Sequence, residues 1–256
     1  MNLHYPTIDE PATPAYILAV IQDEHRQQCQ YDWEADPDAV LTPETTVAEW
    51  RDACDLVGWR KLGQACNKTL GIGVSENEWR EALEPADRKR LSDVCQLIAK
   101  YARRPKVRPA VLFGRTCTRA GTFLTIRSLL RQAGAPVKDI RPSTLLAPYA
   151  RRYTGVFLDS ISRLAPGALP PVRTRASMIR KLANWGAIGG LLCWIAGVFS
   201  AWDLLSSVGG MLFVSSFCLN WCPARYLFAS VEFGELRTFR DLAIVISEGT
   251  ERVHGV

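Results

Sequence analysis

A histidine and a cysteine four residues apart are the first side chains in this sequence whose types and spacing could do chemistry. His25 and Cys29, with Glu24 beside them, lie in a segment, 15–30, whose apolar residues recur at helical spacing. Such residues are neighbours on a helix, and the imidazole could take the thiol proton and activate a nucleophile. Because the segment is rich in Gln, Glu and Arg, and no orienting third group can be identified, we favour a chance pair.

Metal binding and disulfide formation are the next chemistries to consider. The N-terminal part of the chain contains carboxylates at Asp36, Asp38, Glu44, Glu49 and Asp52. Their spacing lacks the alternating oxygen ligands of a calcium loop, and the 8 cysteines form no C-x-x-C pair. We therefore expect a solvated acidic face, reduced thiols, and neither a metal nor another cofactor.

Among the predicted elements, the most prominent is one long uncharged stretch in the C-terminal half of the chain. Between Lys181 and Arg225 the 43 residues carry a single formal charge, Asp203, although 22% of the whole chain is charged. Asp203 divides the stretch into 183–202 and 204–224, each about the length that crosses a hydrocarbon core of about 30 Å. The pattern predicts a two-helix transmembrane hairpin with Asp203 at its hydrated apex.

The charges around this hairpin predict its orientation. Arg180 and Lys181 precede it and Arg225 follows it, whereas its apex has no base. By the positive-inside rule both termini face the cytoplasm, so we expect a two-pass protein of the cytoplasmic membrane. The alternative is a buried helical hairpin in a soluble domain, and the sequence leaves open whether the hairpin crosses the bilayer or only re-enters it.

Formal charge is distributed unevenly along the chain. Residues 1–60 contain 12 acids and 3 bases, whereas residues 61–256 contain 14 acids and 28 bases. We expect the acidic part to meet a basic protein surface, and a basic linker at 103–121 and the hairpin flanks to face anionic lipid headgroups. The bases concerned are Arg103, Arg104, Lys106, Arg108, Arg180, Lys181 and Arg225. A merely solvated linker is an equal alternative, and nucleic acid is disfavoured because the run lacks interleaved aromatic residues.

Two pairs of segments resemble each other at constant spacings. Residues 40–50 align with 139–149 at an offset of 99, and residues 92–99 align with 240–247 at an offset of 148. The offsets differ by 49 residues, which is close to the length of the hairpin with its flanks. This difference indicates two related helical modules, the second interrupted by the hairpin. The alternative is that common helix starts match by chance.

Helical periodicity and capping residues complete the prediction of the fold. Helix starts are indicated at Thr42-Pro43-Glu44 and at Ser75, where Glu78 completes a capping box. We expect helices over 15–30, 59–70, 75–83, 92–102 and 121–133. The expected fold class is mostly α, with two small helical-bundle modules and the transmembrane hairpin inside the second. The predicted parts are an N-terminal tail 1–14, a first module 15–102, the linker 103–121, a second module 122–247, the hairpin 183–224 and a C-terminal tail 248–256.

The modules resemble the acyl carrier protein superfamily, whose members are four-helix bundles with an I-x-P-x-T-x-L loop after the first helix. Residues 41–47 and 140–146 look like that loop, and 91–100 looks like the closing helix. The match covers 15–102 and, less completely, the second module. The resemblance implies a carrier whose second helix opens with a serine that bears phosphopantetheine.

The attachment position departs from the family pattern. Where carriers have Asp-Ser-Leu, the first module has Asp55-Leu56-Val57, and a leucine has no hydroxyl for a phosphodiester. In the second module the matching position falls near Ala150, while Asp159-Ser160-Ile161 has the literal look of the motif. Because Ser160 lies too late by helix register, we favour an exposed helical hydroxyl, with phosphopantetheine attachment as the alternative.

These expectations describe a membrane-anchored, cytoplasm-facing interaction or scaffold protein without catalysis of its own. One alternative is an unusual or degenerate acyl carrier in a membrane-associated lipid or polyketide pathway. Another is a membrane enzyme of unidentified reaction built around Glu24, His25 and Cys29. The expected partners are the lipid bilayer and a basic protein surface.

Overall fold

Helices make up most of the part of the chain that the structure describes. The structure, a computed structural model, describes residues 8–32, 34–112, 114–174, 185–196, 203–220 and 231–254. The predicted mostly helical character is confirmed. The chain divides into two compact units, of which the first contains Met1–Val172 with Phe233–Val256 and the second contains Arg173–Glu232.

The N-terminal part of the first unit is a helical bundle. Its helices are α1 (Pro14–Gln28), α2 (Val47–Ala53), α3 (Trp59–Leu70), α4 (Glu76–Leu83) and α5 (Leu91–Tyr101). The Thr13 hydroxyl caps α1, and Gly71 ends α3 in the left-handed conformation (φ 65°) that glycine adopts without steric cost. Apolar side chains of these helices share one core, which includes Ile17, Trp50, Leu62, Trp79 and Ile98.

The predicted helix bounds agree well in this module, with one correction. Helix α3 has the predicted range, and α4 begins after Ser75 with the predicted capping box to Glu78. The predicted start at Thr42-Pro43-Glu44 is wrong, because these residues belong to a turn. Helix α2 begins instead after Thr46, where Glu49 completes a capping box.

The basic segment after α5, predicted as a linker at 103–121, contains short strands. Strand β1 (Ile8–Pro11), in the predicted N-terminal tail, pairs antiparallel with β2 (Arg103–Lys106). Strand β3 (Ala110–Leu112) pairs antiparallel with β4 (Arg115–Cys117). The pairing of β1 with β2 holds the two ends of the first module together.

The second module begins with α6 (Thr118–Gln132) and α7 (Ala147–Arg152), followed by a π-helical turn (Val156–Ile161) and a 3-10 turn (Ser162–Leu164). Strand β5 (Val172–Thr174) comes next, followed by α8 (185–196) and α9 (Asp203–Asn220). Strand β6 (Val231–Phe233) pairs with β5 and precedes the last helix, α10 (Phe239–His254). Stacked rings of Phe157 and Phe233, with centroids 5.5 Å apart, help to fill the module's interior. Helix α10 extends through most of the predicted C-terminal tail.

In both modules, equivalent backbone hydrogen bonds join a loop to the residues at the start of the last helix. The loops are residues 43–47 and 142–146, and the last helices are α5 and α10. In the first module the bonds run from N–H to carbonyl as Val47 to Lys89, Leu91 to Thr45 and Ser92 to Pro43. In the second they run as Leu146 to Arg237, Phe239 to Thr144 and Arg240 to Pro142. Every member of the second set stands 99 or 148 residues after its counterpart, and these are the offsets of the aligned sequence segments. The two modules therefore share one backbone arrangement at this joint.

The second unit contains α8 and α9, which approach each other closely through glycines. A Cβ added to Gly190 would lie 2.7 Å from the backbone nitrogen of Phe213, and one added to Gly209 would lie 2.8 Å from the carbonyl oxygen of Gly190. Real Cβ atoms do not come so near to backbone atoms. The close packing of the two helices therefore depends on glycine at both positions.

The transmembrane hairpin is a wrong prediction. Among the residues that the structure describes, none of the helices is both long enough and apolar enough to cross a bilayer. The described part of α8 covers about 18 Å at about 1.5 Å per residue, against a core of about 30 Å, and α9 includes Asp203, Asn220 and four serines. The fold class, the membrane anchoring and the two-pass localisation are corrected accordingly. Asp203, predicted at the apex, is the first residue of α9, while Arg180, Lys181 and Arg225 lie outside the described residues.

Candidate functional site

His25 and Cys29 lie together on α1, but the histidine is not positioned to act as a base. The Cys29 Sγ atom lies 3.4 Å from the Nε2 atom of His25. The same nitrogen lies 3.0 Å from the backbone carbonyl oxygen of Asp36, which only accepts hydrogen bonds. Nε2 must therefore carry a proton and donate it to Asp36, and it cannot also take the proton of the thiol.

The surroundings of Cys29 also disfavour a reactive thiol. Burial raises the pKa of Cys29 from its ordinary value, and the negative charges of Asp36 and Asp32 raise it further. A protonated thiol is a poor nucleophile. The pair therefore gives no support to an enzyme built on these residues.

An apolar cavity of about 200 Å³ lies inside the first module. Helices α1, α2, α3 and α5 and the turn between α2 and α3 contribute its lining. Most of the lining side chains are apolar, including Ile17, Val20, Leu56, Leu62 and Ile98. A cavity of about 150 Å³ already suffices to hold benzene, so this one has room for a small apolar ligand. We therefore take it as the candidate site.

Leu56, the residue at the position of the carrier attachment serine, belongs to the lining of the cavity. The turn before α3 places it there. Asp55 has a left-handed backbone (φ 46°), and the N–H of Leu56 donates to the carbonyl oxygen of Arg51 at 2.9 Å. The leucine offers the cavity an apolar, half-buried side chain where a carrier would have a hydroxyl.

Glu24 supplies a carboxylate to the lining. Half of its side-chain surface, 50%, is accessible. Desolvation raises the pKa of Glu24 from its ordinary value, the Arg163 guanidinium opposes the rise, and Asp159 and Asp23 add to it.

Arg163, in the 3-10 turn of the second module, contacts two residues of the cavity lining without belonging to the lining itself. Its Nη1 donates to the carbonyl oxygen of Thr69 at 2.8 Å, and its Nη2 lies 3.7 Å from Oε1 of Glu24. Thr69 and Glu24 both line the cavity. The sequence analysis missed Arg163, because no motif or spacing connects it to residues 94 positions or more before it.

The cysteines in the cavity wall have the character of small apolar side chains. Burial raises the pKa of Cys54 and that of Cys66 to about 12. Both thiols therefore stay protonated at physiological pH, and their contribution to the cavity is packing rather than reactivity.

The predicted phosphopantetheine candidate lies away from the cavity lining. Ser160 is half-buried in the π-helical turn, and Ala150, the position that matches by register, is buried in α7. Neither residue contributes to the lining. Attachment at Ser160 stays a prediction.

Two of the predicted lipid-facing bases have protein partners. The Arg104 guanidinium lies 5.2 Å from the centre of the Tyr16 ring, and Lys106 Nζ lies 2.7 Å from Oε1 of Glu10. Arg103 and Arg108 are exposed. Contact of this segment with lipid stays a prediction.

The acidic residues near the N-terminus have structural partners instead of a shared centre. The Glu49 carboxylate accepts from the N–H of Thr46 at 2.8 Å, and Asp36 accepts from the N–H of Asp38 at 3.0 Å. Within the described ranges, His, Cys, Asp and Glu side chains form no group of three or more that could hold a metal ion.

Comparison with known proteins finds no match. No protein-family model matches the chain, and neither a curated protein nor a solved structure matches it. The function must therefore be argued from the cavity and the side chains around it.

Proposed function

We propose that this protein is a non-catalytic binding protein whose first module holds an apolar ligand without a covalent link. The observation that carries the proposal is the cavity of about 200 Å³ with Leu56 in its wall. Binding sites for small molecules combine apolar walls with few polar groups, and this cavity has that composition. The thiols of Cys54 and Cys66 stay protonated and Nε2 of His25 donates to Asp36, so none of these three side chains supplies a nucleophile or a base to the cavity.

The resemblance to acyl carrier proteins supports the same proposal. It implies a helical bundle whose second long helix begins at the attachment point, and α3 begins three residues after Leu56. With a leucine there, the module is a degenerate carrier that keeps a bundle with an internal cavity and lacks the attachment hydroxyl. Its ligand is then held by burial alone.

The size of the cavity limits the ligand and its affinity. By comparison with the benzene-sized cavity, about 200 Å³ accommodates an alkyl chain of roughly eight carbon atoms. At about 0.8 kcal/mol for each buried methylene, such a chain contributes roughly 6 kcal/mol. Immobilising the ligand offsets part of this contribution, so a dissociation constant of the order of tens of micromolar is the tightest that the cavity allows.

Calorimetric titration of the full-length protein with octan-1-ol tests the proposal. We expect saturable binding with one site, and we expect Cys66→Phe to weaken it at least tenfold because the larger side chain fills the cavity. The matched control is Cys117→Phe, which changes another half-buried cysteine in β4, outside the lining, and should leave the affinity unchanged. Failure of the wild-type protein to bind, or equal losses in both variants, would overturn the proposal.

The carrier alternative is tested separately at Ser160. Intact-mass measurement after coexpression with a phosphopantetheinyl transferase should show no added phosphopantetheine, since Leu56 replaces the attachment serine in the first module. An added group that disappears in Ser160→Ala would instead establish a true carrier.

A second candidate function, self-association, is favoured by the surface of the second unit. Ten large apolar side chains of α8 and α9 are exposed: Trp185, Ile188, Leu191, Leu192, Trp194, Ile195, Val208, Met211, Leu212 and Val214. Together they present apolar surface on the order of 1,000 Å², comparable to what each partner of a stable interface buries. A second copy of the chain offers the same uncharged surface, so we propose it as the occupant. This role fits the expected scaffold function.

Light scattering coupled to size-exclusion chromatography tests self-association. We expect a dimer or larger species at micromolar concentration, and a shift to monomer in the double variant Leu192→Lys, Met211→Lys. The control Val40→Lys places the same charge on another exposed apolar residue, 79% accessible, in the first unit. A monomeric wild-type protein would exclude this second function.

A further inference from the structure

Glu24 brings a formal charge to the apolar cavity. Among the described residues of the lining, it is the single Asp, Glu, Lys or Arg. Half of its side-chain surface is accessible, whereas Ile17, Leu62 and Ile98 of the same lining are buried. A lining residue with this exposure lies where the cavity meets the solvent. Its carboxylate can therefore contact the head group of a ligand whose chain lies in the cavity.

The cation next to Glu24 compensates its carboxylate only in part. Nη2 of Arg163 lies 3.7 Å from Oε1 of Glu24, which is longer than a hydrogen bond. The negative charges of Asp159 and Asp23 also act on Glu24, while Arg26 pairs with Asp23 at 2.6 Å. Three carboxylates and two guanidinium groups give this neighbourhood a net charge of −1.

The first module as a whole favours cations over anions. Residues 15–102 contain 16 acids and 10 bases, a net charge of −6. Inside the cavity, burial is the main cause of the raised pKa of Cys54 and of Cys66, and the negative charge of Glu24 adds to both. The charge of Glu24 therefore acts on groups of the lining. A further negative charge here is opposed by this field, and a positive charge is favoured.

We propose that the ligand is an aliphatic primary amine of medium chain length, whose chain fills the cavity and whose ammonium group pairs with the Glu24 carboxylate. This inference rests on the proposed function, because it names the class of ligand for the same cavity. An ammonium group has three N–H donors, of which one binds Glu24 while the others stay hydrated where the cavity meets the solvent. Its charge makes the neighbourhood neutral, and no covalent bond is made or broken.

Parallel calorimetric titrations of the full-length protein with octylamine, octan-1-ol and octanoate at pH 8 test the inference. The three ligands have chains of equal length, so differences between them report on the head group. Octylamine is a cation at this pH, since an alkylammonium group titrates near the lysine value of about 10.4. Compared with octan-1-ol, we expect octylamine to bind about fivefold more tightly, as for a favourable exposed ion pair, and octanoate about fivefold more weakly.

The substitution Glu24→Gln keeps the size of the side chain and removes its charge. We expect it to weaken octylamine binding about fivefold, to change the octan-1-ol affinity less than twofold and to strengthen octanoate binding. The matched control is Glu44→Gln, which removes an exposed carboxylate of the same module outside the lining. This control should change none of the three affinities more than twofold.

The outcomes separate the inference from the proposed function. If the wild-type protein binds none of the three ligands, the proposed function itself fails. Equal affinities for all three, or tightest binding of octanoate, would leave the cavity as a binding site and overturn the amine inference. Equal losses of octylamine affinity in Glu24→Gln and Glu44→Gln would also overturn it, because the attraction would then come from the charge of the whole module.

Charge reversal at the same position gives an independent test. Glu24→Lys replaces the carboxylate by an ammonium group on an exposed part of α1, and we expect octanoate to bind this variant more tightly than octylamine does. A circular dichroism spectrum equal to that of the wild-type protein verifies that the variant is folded. Octylamine remaining the tightest ligand of this variant would contradict the pairing with Glu24.

Discussion

Glu24, His25 and Cys29 stand close together on one helix, yet their neighbours give each a different chemistry. Nε2 of His25 donates to the Asp36 carbonyl, Cys29 is shielded next to acidic residues, and Glu24 borders a cavity. The spacing of the three residues was visible in the sequence. Their protonation was not, because it depends on a loop and a second module that the helix meets only after folding.

Cys29 should therefore be an unreactive thiol. Its pKa is raised by burial and by Asp36 and Asp32, so at pH 8 we expect iodoacetamide to modify it more slowly in the native protein than in urea. Peptide mapping after timed quenching measures the rate at this residue. His25→Ala should not slow the reaction further, and a native rate above the unfolded one would show that the thiol is activated.

Among the elements, the success of prediction depended on whether an element is set by neighbouring residues or by contacts between distant segments. The range of α3 and the capping box of α4 follow from neighbouring residues, and both were predicted correctly. Strand β1 pairs with β2 across more than 90 residues, so neither strand has a local signal by which it could be predicted. One local signal led to a wrong prediction. Pro43 is typical of a helix start, but the helix begins after Thr46, which forms the capping box with Glu49.

The capping box of α4 should make a contribution to stability that depends on pH. Hydrogen bonds from Ser75 and Tyr101 lower the pKa of Glu78 to about 2, below its unfolded value of about 4.3. The stabilisation is therefore present above about pH 4.3 and is lost as the pH falls toward 2. We expect Ser75→Ala to cost about 1 kcal/mol at pH 7 in urea denaturation. A difference from wild type that does not narrow between pH 5 and pH 2 would contradict this account.

Gly63 should be required for the packing of α3 against α4. A Cβ at this position would lie 2.6 Å from Cγ of Trp79, whose ring is buried and fixed by its hydrogen bond to Asn67. We expect Gly63→Ala to lower the free energy of unfolding by about 1–3 kcal/mol. The matched control is Gly73→Ala, since no described atom lies within 4 Å of a Cβ there. Equal effects of the two substitutions would argue against the close contact.

At the level of the whole molecule, the same contact between a loop and the last helix occurs in both modules, and in the second module a separate unit is inserted between the loop and that helix. The hydrogen bonds between loop and last helix recur at offsets of 99 and 148 residues, and the second unit, Arg173–Glu232, lies between the loop and the last helix of the second module, where the extra residues fall. Because β5 pairs with β6, the chain leaves and re-enters the first unit at adjacent strands. The second unit is thus an insertion between neighbouring strands.

The first unit should fold without the insertion. Replacing residues 175–230 by a short Gly-Ser linker joins β5 to β6, and we expect cooperative thermal unfolding with a midpoint within about 5 °C of the full chain, since a longer or shorter surface connection changes closure entropy little. Circular dichroism measures the midpoint. The shortened chain should also be monomeric, and loss of cooperative unfolding would mean that the insertion supports the core.

Residue order along the chain was enough to predict the local and compositional properties of this protein. It specified the helical character, the cap of α4, the two offsets of the repeat and the absence of a hydroxyl at Leu56, because each depends on residues read in order along the chain. Only the tertiary structure decided that the uncharged stretch contains no described membrane span, that His25 donates to Asp36, and that Arg163 lies beside Glu24. These features depend on helix length and on contacts between distant segments, which hydropathy and spacing do not encode.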